Sequence, residues 1–158
     1  MAESHGKDKK DSHSGYGHLM SEVSRGMTFY QYPIDNYLVS PTKIKINKDS
    51  KVSFYARSSH NTYYKEHFGL AVSTSSNTSA NDFVMVQDWV ITDRTKWKEY
   101  TVDLSDYAGQ EVYVAIRHFF TQEEWEANGN GYDVETLNID DITFSNIIMD
   151  IQYTPTLS

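Results

Sequence analysis

The chain has no cysteine. A disulfide framework, a zinc–thiolate site and a thiol nucleophile are therefore closed to its 158 residues, although this absence alone names no compartment. No run of about 18 apolar residues is present, the length a membrane helix needs. The opening "MAESHGKDKKDSHSG" also lacks the apolar stretch of a signal peptide, so the piece is expected to be soluble, with any export signal outside it. Positive charge is scarce: 14 Lys and Arg face 22 Asp and Glu, for a net charge of −8. That balance argues against nucleic acid or an anionic membrane as partner and is compatible with cations. A phosphate-cradling Gly-rich loop, paired metal histidines at helical spacing and a Gly-x-Ser-x-Gly elbow are missing as well.

What is abundant is aromatic. Tyr, Phe and Trp make up 14% of the chain, with 12 Tyr, 7 Phe and 3 Trp, a composition suited to β-structure and to amphipathic binding surfaces. The first fifteen residues have no periodicity that would bury a face, and they read as a flexible polar tail ahead of a single domain over 16–158. "SKVSFYARSS" sets Val52, Phe54 and Ala56 against Ser53, Tyr55 and Arg57, the pattern of a half-buried strand. "HFGLAVSTSS", "SANDFVMVQDWVI", "WKEYTVDLSDY" and "EVYVAIRHFF" follow, the last being the strongest strand signal, and "LNIDDITFSNIIMDIQY" closes the series. Only "TQEEWEA" suits a turn or two of helix. Seven to nine strands divided by short turns indicate an all-β sandwich or barrel.

Three places offer candidate sites. In "LNIDDITFS" two adjacent carboxylates, Asp140 and Asp141, interrupt a strand, and alternation points one of them inward. A buried carboxylate needs a cation or several hydrogen-bond donors, for which a metal, Arg117 or backbone amides would serve. In the polar stretch "TQEEWEANGNGYDVET", Trp125 and Tyr132 stand among Glu123, Glu124 and Glu126. Trp125 there either stacks on a sugar or anchors a protein partner, or folds back over a core edge. "SHNTYYKEH" sets Tyr63 beside Tyr64, so that in a strand one ring faces out. Of the six histidines, three lie in the first 18 residues, and His67 and His118 read as structural members of strands. The abundant acids also leave open a two-carboxylate hydrolase.

Five blocks carry a resemblance: "PIDNYLVSP" (33–41), "KVSFYARS" (51–58), "KEHFGLAVSTSSNTSANDF" (65–83), "WKEYTVDLSDYAGQEVYVAIRHF" (97–119) and "LNIDDITF" (137–144). In this order and spacing they closely resemble the cleaved adhesin domain family, the haemagglutinin/adhesin modules attached to gingipain-type cysteine proteases and related surface haemagglutinins. The resemblance implies a jelly-roll β-sandwich of carbohydrate-binding-module type, exported to the cell surface and non-catalytic. It implies binding to host cell-surface or plasma proteins, glycans or haemoglobin, within a larger protein of neighbouring domains. It also implies structural calcium, held in similar jelly rolls by the last strand's aspartate with an acidic residue of the first strand. Asp140 and Asp141 are the candidates carried over, and Asp35 and Asn36 match the family's "PDNYL" block, as ligands or as a turn cap. The chain departs from the family at its start. Members carry a strand with Phe and Glu and then an Asp/Gly-rich loop, whereas this chain has "MAESHGKDKKDSHSGYG", with Asp8 and Asp11 in the loop's place and Glu3 or Asp150 as replacement acids. The alternatives are a jelly-roll glycoside hydrolase and a calcium-clamped spacer without a ligand.

Overall fold

The computed structural model describes residues 2–5 (backbone only), 12–22, 33–60, 62–93, 96–130 and 136–147. These form two facing antiparallel sheets. The first contains β1 (Ala2–His5), β2 (His18–Glu22), β5 (Lys51–Ser58), β8 (Lys98–Asp103) and β10 (Thr136–Ser145), in the spatial order β1, β2, β10, β5, β8. The second contains β3 (Asp35–Val39), β6 (His67–Ser73), β7 (Val84–Val90) and β9 (Glu111–Phe119), in the order β3, β9, β6, β7, with the short β4 (Ile44–Lys45) also on β9. Neighbours distant in sequence thus lie side by side, as in a jelly roll, and the expected all-β sandwich is the observed fold.

Alternation explains the layers. Val52, Phe54, Ala56 and Ser58 of β5 are buried, while the residues between them face outward and are partly exposed. β9 sends Val112, Val114 and Ile116 inward, and β10 sends Leu137 and Ile139. Phe54, Phe68, Trp89 and Tyr100 join the two layers, with Phe68 and Tyr100 edge to face at 4.8 Å and Phe54 and Tyr100 stacked at 5.9 Å. Each such side chain removed from water contributes about 1.5–3 kcal/mol. β6 is buried on both faces. On its outer face stands Gly69, where a Cβ would lie 2.4 Å from the Gln87 carbonyl oxygen and from Met85 Cε, so the edge strand β7 closes over a position only glycine can fill.

One expectation needs correction. Ala2–His5, assigned to a flexible tail, pair with β2 in register from Ala2 opposite Ser21 to His5 opposite His18. A first strand is therefore present even though its sequence lacks the family's Phe. The turn or two of helix expected in "TQEEWEA" is α1 (Gln122–Ala127), which Thr121 and Glu124 cap. The Thr121 hydroxyl accepts the Glu124 N–H at 3.1 Å while Glu124 Oε2 accepts the Thr121 N–H at 2.8 Å. This reciprocal pairing satisfies two of the helix's otherwise orphan donors.

Candidate functional site

The paired aspartates sit at an irregularity of β10. Asp140 pairs with Tyr55 and Thr143 with Ser53, so the register slips between them, and Asp141 takes a left-handed φ of 49°. The bulge turns both carboxylates toward the segment before β2. Asp140 Oδ2 accepts the backbone N–H groups of His13 at 2.9 Å and Ser14 at 3.2 Å, and its Oδ1 accepts the Asp141 N–H at 2.8 Å. Asp141 meets His13 Nδ1 at 2.6 Å and the Ser14 hydroxyl at 2.6 Å. Hydrogen bonds from His13 and then Ser14 hold the Asp141 carboxyl below the usual aspartate range. Backbone amides, one of the alternatives for these carboxylates, are thus the partners of Asp140.

The other carried-over metal candidates lie in the opposite sheet. Asp35 grips Arg117 in a fork, at 2.6 Å to Nε and 2.9 Å to Nη2, and Asn36 Nδ2 donates to the Ser21 hydroxyl at 3.0 Å. Calcium needs six to eight oxygen ligands with free lone pairs. Asp35, Asp140 and Asp141 each face donors instead, Asn36 donates its own amide N–H to Ser21, and among the described residues no three His, Asp or Glu side chains group to hold a metal ion. As placed, these four do not fit a calcium site. Asp8, Asp11, Asp150 and the Glu3 side chain lie outside the described residues.

Of the ligand candidates, Trp125 must be corrected. It is fully buried on α1, packed on Phe120 at 5.7 Å with Ile34 alongside, so it plugs a small second core and offers no face to a partner. Tyr132 lies outside the described residues. Tyr63 and Tyr64 fall in the connection before β6 rather than in a strand. Tyr64 packs against the main core, and Tyr63 stacks on His60 at 4.8 Å.

Two polar networks escaped the sequence reading. His118 Nε2 lies 2.8 Å from Glu66 Oε2, both groups buried, and its Nδ1 lies 2.8 Å from the Ser21 hydroxyl that Asn36 also reaches. Asn36 donates to Ser21, and Ser21 and Glu66 meet the two ring nitrogens of His118, so this chain of bonds ties β2 of one sheet to β3 and β9 of the other. Its signal was available: His118 shares the inward alternation of Val112, Val114 and Ile116. The second network is centred on His67, whose ring nitrogens meet Asp88 at 2.5 Å and Glu124 at 2.8 Å while the ring lies on Phe119 at 4.1 Å. Burial raises the Glu124 carboxyl, but the Thr121 N–H and His67 outweigh it and the net shift is downward.

The outer face of the first sheet carries four further rings. His13 stacks on Tyr55 at 3.5 Å, Trp97 stands edge-on to His18 at 5.7 Å, and the Arg57 guanidinium covers the Trp97 ring at 4.8 Å. Arg57 lies opposite Asn138 in the β5–β10 register. Two aromatic side chains, a cation and a buried amide thus share one surface beside the aspartate anchor.

The profile of the Cleaved Adhesin Domain family matches residues 1–144. The chain belongs to the cleaved adhesin domain family. Hemagglutinin A of Porphyromonas gingivalis is 30% identical over 152 residues, covering 85% of this chain, and a second Hemagglutinin A of that species is 33% identical over 127 residues, covering 68%. The chain spans only 5% and 6% of those relatives' lengths. A cleaved adhesin domain of Lys-gingipain from Porphyromonas gingivalis superposes with a TM-score of 0.68 at 24% identity, over 90% of this chain and 81% of that one. A carbohydrate-binding module solved with β-1,4-galactotriose shares the fold at 12% identity and a TM-score of 0.50, over 86% of this chain and 74% of its own. The family therefore accounts for the two-sheet jelly roll, and the resemblance extends to the first strand.

Proposed function

We propose that this cleaved adhesin domain is a non-catalytic adhesin module of a larger, exported surface protein, attaching to host proteins, glycans or haem-carrying proteins such as haemoglobin. The family match over 1–144 carries this reading, and its Hemagglutinin A relatives share it by name. The architecture supports it, because a rigid two-sheet scaffold positions loops and one aromatic outer face for recognition. The glycoside hydrolase alternative draws no support from the adjacent aspartates, whose oxygens are engaged by His13 and Ser14 rather than turned to a cleft. The purified domain should bind intact erythrocytes or immobilised haemoglobin saturably and release no sugar from a glycan panel. Absence of binding to both would reduce it to a spacer, and sugar release lost on replacing an acidic pair would make it an enzyme.

A further inference from the structure

Asn138 is 2% exposed, yet among the described residues its Oδ1 has no hydrogen-bond partner, and the Trp97 Nε1–H is likewise buried without one. A buried polar group left unsatisfied is rare and calls for an explanation. Trp97 stands immediately before β8, which flanks β5 on the side away from β10. Asn138 alternates with the inward Leu137 and Ile139, so it faces outward, and it lies opposite Arg57, whose guanidinium rests on the Trp97 ring.

The pair specifies its occupant chemically: one group offers a proton and the other accepts one. A cation is disfavoured beside Arg57. An anion would be drawn by Arg57, but it would leave Asn138 Oδ1 without a donor and stand near Asp140, two residues along the same strand. An apolar group would leave both atoms unsatisfied. A hydroxyl accepts from Trp97 and donates to Asn138, and a polyol with an apolar ring face can also stack on the indole.

We propose that the outer face of the first sheet binds a neutral carbohydrate at Trp97, Arg57 and Asn138, with the sugar taking the guanidinium's place on the indole ring. Arg57 is the movable cover, and the His13–Tyr55 stack forms the adjoining wall. This inference rests on the adhesin reading and names a ligand class for it.

The test titrates the whole chain with β-1,4-galactotriose, cellotriose and xylotriose while following the indole N–H resonances by NMR. With three tryptophans in the chain, Trp97→Phe identifies its own signal. The Trp97 resonance of the wild type is expected to move saturably with at least one sugar, and calorimetric titration of the variants is expected to show about tenfold weaker binding in Trp97→Phe, which keeps a ring but loses the donor, and none in Trp97→Ala. Failure of all three sugars to move that resonance overturns the proposal, as does equal binding by wild type and Trp97→Ala, or a buried water alone bridging the two atoms. Erythrocyte binding measured on the same samples separates the two readings. Binding retained by wild type with no sugar response sinks the carbohydrate site alone, whereas loss of both in wild type sinks the adhesin reading too.

Discussion

Trp125 shows how burial overrules composition. A tryptophan among glutamates looks exposed in sequence, but the capped helix turns it inward onto Phe120, where its full burial makes it structural. Trp125→Ala should therefore cost about 3–5 kcal/mol, as large-to-alanine core truncations do, and appear as a marked fall in melting temperature. Asp141 is a different case, since the His13 and Ser14 hydrogen bonds lower its carboxyl in the folded state. A depressed carboxyl contributes stability that is present above the unfolded aspartate's value of about 3.9 and fades as pH falls through the lower folded value. In melting temperature measured against pH, Asp141→Asn should flatten that acid limb. Asp140 tests the metal question. Asp140→Asn is expected to lower the melting temperature equally in calcium and in chelator, because its partners are backbone amides. A loss confined to calcium-containing buffer would make it a ligand.

At the level of elements, α1 hangs on two devices. Its capping box closes the helix from within, and His67 ties it to the edge strand β7 by facing Glu124 with one nitrogen and Asp88 with the other. A neutral imidazole has one N–H, so donation to both carboxylates requires the protonated ring. Thr121→Ala should cost about 1 kcal/mol, the usual loss for an N-cap, and speed amide exchange in 122–127. His67→Phe should speed exchange in α1 and β7 together while leaving β8 unchanged. Exchange rising in α1 alone would show that the histidine does not couple them.

Across the whole molecule, the two sheets share an apolar interior crossed by a polar tie, Ser21–His118–Glu66. Glu66 and His118 are both buried, so removing the imidazole takes from the carboxylate a partner that water is poorly placed to replace. His118→Phe should accordingly destabilise the domain by about 3–5 kcal/mol, the range for breaking a buried pair. Denaturant unfolding checks this, with the midpoint falling and the slope unchanged if the sandwich remains intact. The anchor of His13 and Ser14 on β10 acts at the same scale, holding the segment before β2 to that strand.

Fold class was legible in the sequence because alternation has a fixed period of two, and Val52, Phe54 and Ala56 of β5, like Val112, Val114 and Ile116 of β9, declare their inner faces without knowledge of neighbours. The ordered blocks from 33 to 144 likewise determined the family. The candidate sites were less legible, because each depends on which strands become neighbours. Asp140 and Asp141 announced a need for partners, but a bulge and a segment some 127 residues away decided that amides and an imidazole would meet it. Trp97, Arg57 and Asn138 carry no local motif, and only the pairing of β5 with β8 and β10 sets them on one face. Pairing between distant strands is settled by the packing of the whole sandwich, and no short stretch of sequence contains it.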